Sequence, residues 1–382
     1  MKRICLFLAV CLLLTAMPLK AGAVELNVGG KSALLMDMTT GTVLYEKNAH
    51  EKLAPASVTK VMTMLLIMEA IDSGKIRWED TVTTSESAAA KGGSQIYLKV
   101  GETMSVSDMV KSIAVSSAND CACAMAEHIS GSESAFVDLM NQRAQELGMN
   151  DTHFVNCTGL DDDDAAKEHL TSAYDIAVMS RELMKNHPDI QKFTTIWMDT
   201  VRNGAFGLSN TNKLVRFYPG ATGLKTGFTS AAGYCLSATA QRDGLGLIAV
   251  VMGAETSQER FSACKSMLDY GFANFALVQP EITEGTVPVK MGIVDSVKAV
   301  PAEEMTVLVD KGQLNQVQIQ TALEEAVAAP VSKGQRLGTL TIKVGEQTVK
   351  EVPMVAQNGV EKLTWGDVFL MILRRLVMAK AG

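Results

Sequence analysis

The chain has 382 residues, 47% of them hydrophobic, which is about two domains' worth of sequence and enough to bury a large core. Acidic residues outnumber basic ones, 42 against 35, for a net charge of −7. No basic cluster or stripe appears along it, which argues against a nucleic-acid partner.

The first residues are an address. Lys2 and Arg3 precede an apolar run from Ile4 to Met17, and Ala21-Gly22-Ala23 is a small-x-small cleavage site. Residues 1–23 therefore read as a secretory signal peptide, outside the fold. Two β-prone runs, Ala33–Asp37 and Val43–Tyr45, flank a turn at Gly41 and read as a hairpin. Val58 to Ile71 is apolar with little interruption and reads as a buried helix, with Pro55 and Ser57 at its start. Val106–Met125, Ser134–Leu147 and Thr171–Asn186 read as further helices. Gly233–Ala240 and Leu247–Gly253 read as strands joined by an Asp243-Gly244 hairpin turn, followed by a helix from Gln258 to Phe275. Strands at both ends with helices between them imply an α+β layer, helices on an antiparallel sheet. This unit spans residues 24–277.

The composition changes after about Val278. Short alternating segments at Val287–Lys290, Met305–Val309, Gln316–Ile319 and Leu340–Val344 predict a small all-β domain over 278–360. Residues 361–382 differ again. Trp365, Phe369, Leu370, Ile372 and Leu373 share this segment with Asp367, Arg374 and Arg375, too many charges for an apolar span. It reads as an amphipathic helix lying in a membrane surface, or as a helix packed on its own domain.

Five cysteines remain once Cys5 and Cys11 leave with the signal: Cys121, Cys123, Cys157, Cys235 and Cys264. An odd number cannot all pair within one chain, and no Cys-x-x-Cys is present. They are expected as small buried hydrophobes.

Three short strings carry the chemistry: Ser57-Val58-Thr59-Lys60, Ser117-Ala118-Asn119 and Lys225-Thr226-Gly227. A free serine is a poor nucleophile and needs a base. Three residues apart on a helix, Lys60 faces Ser57 and can serve if burial or a second cation, such as Lys225, lowers its pKa. The helix start supplies backbone N–H donors for an oxyanion. Ser117 can relay a proton, and the Asn119 amide can hold a substrate carbonyl. Lys225 and Thr226 suit a carboxylate, and Gly227 allows close approach to the backbone of the strand they open. Each string alone has a plainer reading, a helix start, a capping turn and a loop. Ser262-Ala263-Cys264-Lys265 also fits the first pattern, but it follows the third string, in the wrong order. With Asp in place of Ala118, the three strings in this order are an established signature of penicillin-binding proteins and serine β-lactamases.

Over essentially the whole mature chain, the sequence resembles the low-molecular-weight penicillin-binding proteins, the serine-type D-alanyl-D-alanine carboxypeptidases. The extended blocks Leu53–Lys60, Val115–Asp120 and Gly223–Thr229 with Ala232-Gly233-Tyr234 carry the resemblance. Asn156–Asp161 and His169–Asp175 resemble a loop bordering the site. The resemblance implies the transpeptidase fold, a β-rich second domain and a terminal membrane helix. It implies that Ser57 attacks the D-Ala-D-Ala bond of a peptidoglycan stem peptide, Lys60 takes the proton and Ser117 passes one to the departing D-alanine. It also implies an oxyanion hole from the Ser57 and Phe228 amides, and a carboxylate site from Lys225, Thr226 and Arg260. β-Lactams would acylate Ser57, no metal or organic cofactor is needed, and the protein is expected outside the cytoplasm. Phe228 and Thr158 depart from residues found in some members. A β-lactamase and a non-catalytic wall-binding scaffold of the same fold are the alternatives.

Overall fold

The computed structural model describes residues 26–162, 164–280 and 285–378; the signal-peptide reading lies outside them. Strand β1 (Ser32–Asp37) shows how the first unit is layered, since all six of its residues are buried. It pairs antiparallel with β2 (Val43–Lys47) on one side and with β5 (Leu245–Ala254) on the other. Its faces alternate: Leu34 and Met36 join the larger core, and Ala33 and Leu35 a second one. A strand covered on both faces loses the polar half of its alternation, which is why this segment is almost continuously apolar.

The sheet is completed by β3 (Ala221–Thr229) and β4 (Gly233–Arg242), in the order β2-β1-β5-β4-β3. Its strands come from both ends of the unit, as the sequence implied. The β4–β5 turn has Asp243 and Gly244 at φ 48° and 81°, the left-handed pair that matches the twist of a hairpin. Helix α6 (Ser257–Asn274), capped by the Thr256 side chain, covers one face through Ala263, Met267 and Leu268.

The opposite face carries the helical layer. At its centre lies α1 (Lys60–Asp72), buried from Lys60 to Met68, and a helix apolar on all sides belongs in the interior. Around it pack α2 (Val106–Ser116), α3 (Asn119–Ser130), α4 (Glu133–Glu146) and α5 (Ala173–Asn186). Two boundaries differ from the sequence reading. Ser57 sits in a 3-10 turn, Ala56–Thr59, and the α-helix begins only at Lys60. The stretch read as one helix from Val106 to Met125 breaks at Ser117, whose φ of 64° ends α2 before α3 starts at Asn119.

Beyond α6, Phe275–Val278 pairs with Val307–Asp310. A six-stranded sheet follows, from β6 (Gly285–Lys290), β7 (Ser296–Pro301), β8 (Val317–Leu323), β9 (Val327–Ala328), β10 (Arg336–Val344) and β11 (Gln347–Ala356). Its own core gathers Val287, Leu340, Ile342, Val352 and Met354. Helix α7 (Trp365–Met378) ends the described chain, starting four residues later than expected. Before it, Glu361 and Leu363 are tied by backbone hydrogen bonds to Ile293 and Met291. Trp365, Phe369, Leu370 and Ile372 are exposed. No described helix is long and apolar enough to cross a membrane.

Candidate active site

The turn before α1, the α2–α3 break and strand β3 bring the three strings together. Lys60 Nζ donates to Ser57 Oγ at 2.9 Å and to the Thr158 carbonyl at 2.8 Å. Lys60 is fully buried, and burial pulls its pKa down to about 7, with Cys157 and Asp120 opposing the fall. Lys225, also buried, is lowered first by desolvation and then by the charges of Lys60 and Arg260. Of the two causes the sequence allows, burial or a second cation, burial sets the Lys60 value.

Two glycines let the backbone close around the nucleophile. A Cβ on Gly227 would lie 2.6 Å from the Pro55 carbonyl and 3.1 Å from the Ser57 nitrogen. A Cβ on Gly159, at φ 79°, would lie 1.9 Å from the Ala56 carbonyl. Only glycine has the room at both positions. Gly227 and its neighbours lie within β3 rather than opening it, because the strand already starts at Ala221.

Asn119 is anchored by its amide, which donates to the Gly92 carbonyl at 2.7 Å, and by its N–H to Ser94 at 2.7 Å. The Ser117 hydroxyl and the Asn119 side-chain carbonyl are buried without a protein partner among the described residues. Unpaired buried polar atoms in a native structure call for an explanation, and a substrate is one. Asp120, next in sequence, accepts from the N–H groups of Ile96 and Leu98 and pins the segment beside them.

Thr226 donates to Thr211 Oγ1 at 2.7 Å. Arg260 is buried and directs Nη1 to the carbonyls of Gly227 and Cys235, at 2.8 and 3.2 Å, so it braces the strand that carries Lys225 and Thr226. Phe228 is 53% exposed and stacks on Tyr234 with ring centroids 4.3 Å apart. In the bordering loop, Asn156 Oδ1 receives the N–H groups of Thr158 and Gly159, which fixes the carbonyl that meets Lys60.

Sequence reasoning gave no separate role to Thr211 or His169. His169 Nδ1 accepts from the Val155 N–H at 3.1 Å, so its proton sits on Nε2 and points to Thr59 Oγ1 at 2.7 Å. Burial, with His153 and Lys60, lowers its pKa to about 4, so it is a neutral brace for the nucleophile turn. The five cysteines among the described residues are all unpaired and buried. Glu69, Glu182 and His187 lie close enough to share a metal, but Arg143 already bridges the two carboxylates at 2.8 Å each. A cavity of about 750 Å³ lies between Thr39–Thr42 and Thr348–Lys350 and is lined by none of the motif residues. The site is located by its chemistry, not by cavity size.

The sequence profile of the D-alanyl-D-alanine carboxypeptidases, peptidase family S11, matches residues 20–256. The chain belongs to that family. A second profile, the C-terminal domain of penicillin-binding protein 5, matches residues 272–362. D-alanyl-D-alanine carboxypeptidase DacF of Bacillus subtilis is 46% identical over 345 residues, 88% of this chain and 87% of that protein. DacC of Escherichia coli is 33% identical over 88% of this chain and 85% of its own length. Penicillin-binding protein 5 of Haemophilus influenzae superposes with a TM-score of 0.78 at 31% identity, covering 89% of this chain and all of that one. Penicillin-binding protein D2 of Listeria monocytogenes, solved in its ampicillin-bound form, gives 0.59 at 32% identity, over 65% of this chain and 99% of its own. The α+β unit with an all-β unit behind it is thus the fold of the family.

Proposed function

We propose that this chain is a serine-type D-Ala-D-Ala carboxypeptidase that removes the terminal D-alanine from peptidoglycan stem peptides through an acyl-enzyme on Ser57. The observation that carries this reading is the 2.9 Å contact from a fully buried Lys60 amine to the Ser57 hydroxyl. With a pKa of about 7, Lys60 is substantially neutral at physiological pH and can accept the serine proton.

Ser57 Oγ attacks the carbonyl carbon of the scissile D-Ala-D-Ala bond as its proton passes to Lys60. The oxyanion is received by the N–H groups of Ser57 and Phe228. The C–N bond then breaks, and a proton relayed through Ser117 leaves with the amine of D-alanine. Water attacks the ester, gives a proton back to the lysine–serine pair and frees Ser57. Asn119 holds a substrate carbonyl. Lys225 and Thr226 receive the terminal carboxylate, with Gly227 giving it room and Arg260 adding charge from beneath the strand. A β-lactam acylates the same serine and departs slowly.

The unit 24–277 performs the reaction, and 278–360 carries it. The terminal helix lies in the outer face of the cytoplasmic membrane, supported by the exposed Trp365, Phe369 and Ile372. The signal peptide exports the chain. The test is release of D-alanine from a diacylated L-Lys-D-Ala-D-Ala tripeptide by the mature chain, with Ser57→Ala beside it. Release by the wild type alone supports the reading; rapid penicillin turnover without release points to a β-lactamase, and neither activity to a scaffold.

A further inference from the structure

Lys91 and Glu133 belong to none of the three motifs, yet they join the segments that hold two of them. Glu133 is the first residue of α4. Its Oε2 accepts from Lys91 Nζ at 2.6 Å, and its Oε1 accepts from the Cys157 N–H at 3.3 Å and the Cys157 thiol at 3.2 Å. The Cys123 thiol also reaches Oε2, at 3.7 Å. Burial would raise this carboxyl, but the Lys91 contact more than offsets it and holds it ionised, below its ordinary range.

Two chains of contacts lead from this pair to the reacting groups. On the Glu133 side, the Cys157 carbonyl accepts from Thr63 at 2.6 Å, and the next carbonyl, that of Thr158, accepts from Lys60 Nζ. On the Lys91 side, the next residue is Gly92, whose carbonyl receives the Asn119 amide, and Ser94 receives the Asn119 N–H. The side chains of Lys91 and Glu133 are 23% and 18% exposed, so the pair is shielded and geometrically fixed, unlike a typical surface ion pair.

We propose that the Lys91–Glu133 ion pair is a positioning element of the acylation site. Glu133 fixes the carbonyl that receives Lys60, and Lys91 fixes the segment that receives Asn119. The inference rests on the assignment of Ser57 and Lys60 above. It makes separable demands on the two residues. A displaced Thr158 carbonyl withdraws an acceptor from the Lys60 ammonium and lowers the pH at which the base becomes neutral. The other groups facing that amine are the Asp120 carboxylate, which raises its pKa, the neutral Cys157 thiol, and Lys225 and His169, whose own pKa values Lys60 lowers in turn. A displaced Gly92–Ser94 segment instead loosens Asn119 and weakens substrate binding.

The test uses the full mature chain and Glu133→Ala, Glu133→Gln and Lys91→Met. It measures the pH profile of Ser57 acylation by a fluorescent penicillin, kcat and KM on the tripeptide, and the melting temperature. Glu133→Ala is expected to lose roughly tenfold or more in kcat, the scale of a small misplacement of a reacting group, and to move the acid limb to lower pH. Glu133→Gln keeps an acceptor for the Cys157 N–H and is expected to restore the limb. Lys91→Met is expected to raise KM with the limb in place. A folded Glu133→Ala whose kcat and acid limb match the wild type overturns the proposal. If that variant does not fold, an unchanged KM in Lys91→Met overturns it. An unlabelled wild type overturns the Ser57 assignment and this inference together, whereas a labelled wild type with unmoved variants overturns this inference alone.

Discussion

Lys60 reaches Ser57 across a change of helix type: the serine lies in a 3-10 turn, the lysine opens the α-helix, and their side chains meet at 2.9 Å. The tighter 3-10 winding brings residues three apart into line, so the pair is aligned by the backbone before any substrate arrives. The acylation rate is expected to climb as pH rises through about 7, because the base is protonated below that value. A stopped-flow pH series with a chromogenic β-lactam measures the limb. A profile flat from pH 5 to 9, a window set about the reference range of the base, would remove Lys60 from the role.

Ser57→Ala is expected to abolish both penicillin labelling and D-alanine release while leaving the fold intact. Lys60 keeps its bond to the Thr158 carbonyl when the hydroxyl is removed. Circular dichroism and gel fluorescence on the same sample decide it, and cleavage that persists in this variant removes the nucleophile.

Lys60 also has a cost that pH reveals. Its folded pKa of about 7 lies below the ordinary lysine value of 10.5, so between those values the unfolded chain holds a proton that the native chain does not. Its contribution to stability therefore rises with pH across that window and is least favourable below about 7. Lys60→Met, which carries no charge to bury, is expected to melt above the wild type at pH 6, with the gap shrinking by pH 9, a window again drawn about the reference range. A gap independent of pH would show that the lysine is charged in the native state throughout.

Gly227→Ala is expected to lower acylation by roughly two orders of magnitude, because the added methyl meets the Pro55 carbonyl and the Ser57 nitrogen and pushes the strand off the nucleophile turn. The rate should fall far more than the fraction folded. Thr211→Val is milder: it removes the hydroxyl that faces Thr226 and should raise KM for the tripeptide more than it lowers kcat.

The three strings were legible because their spacing survives in one dimension, and the α+β architecture followed from where the apolar runs fell. The Asp243-Gly244 turn announced its hairpin by residue type alone. Strands β7 and β11 are not legible in the sequence, since Pro301 and Pro353 and their polar residues mask strands in a sheet that is half solvated. Lys91, Glu133 and Thr211 are single residues without a repeat or spacing, and only the folded chain places them; His169 falls in the block that resembles the bordering loop, but its contact with Thr59 needs the fold.

Residues 361–363 are tied by backbone contacts to the 291–293 turn, so they belong to the β-rich unit rather than to the helix beyond it. A chain ending at Leu363 is expected to keep full activity and to lose sedimentation with anionic vesicles. Continued sedimentation would exclude the terminal helix as the anchor.

The strand that carries Lys225, Thr226 and Gly227 is the outermost of its sheet. Most proteins blunt such an edge, because unpaired amides recruit foreign chains. On the proposed reading, recruitment would be the purpose: an extended stem peptide laid along β3 would gain main-chain hydrogen bonds irrespective of its side chains. On that reading part of what this strand contributes lies in its amides, where side-chain substitutions leave no trace and only backbone chemistry, an ester in place of a peptide link, can edit it.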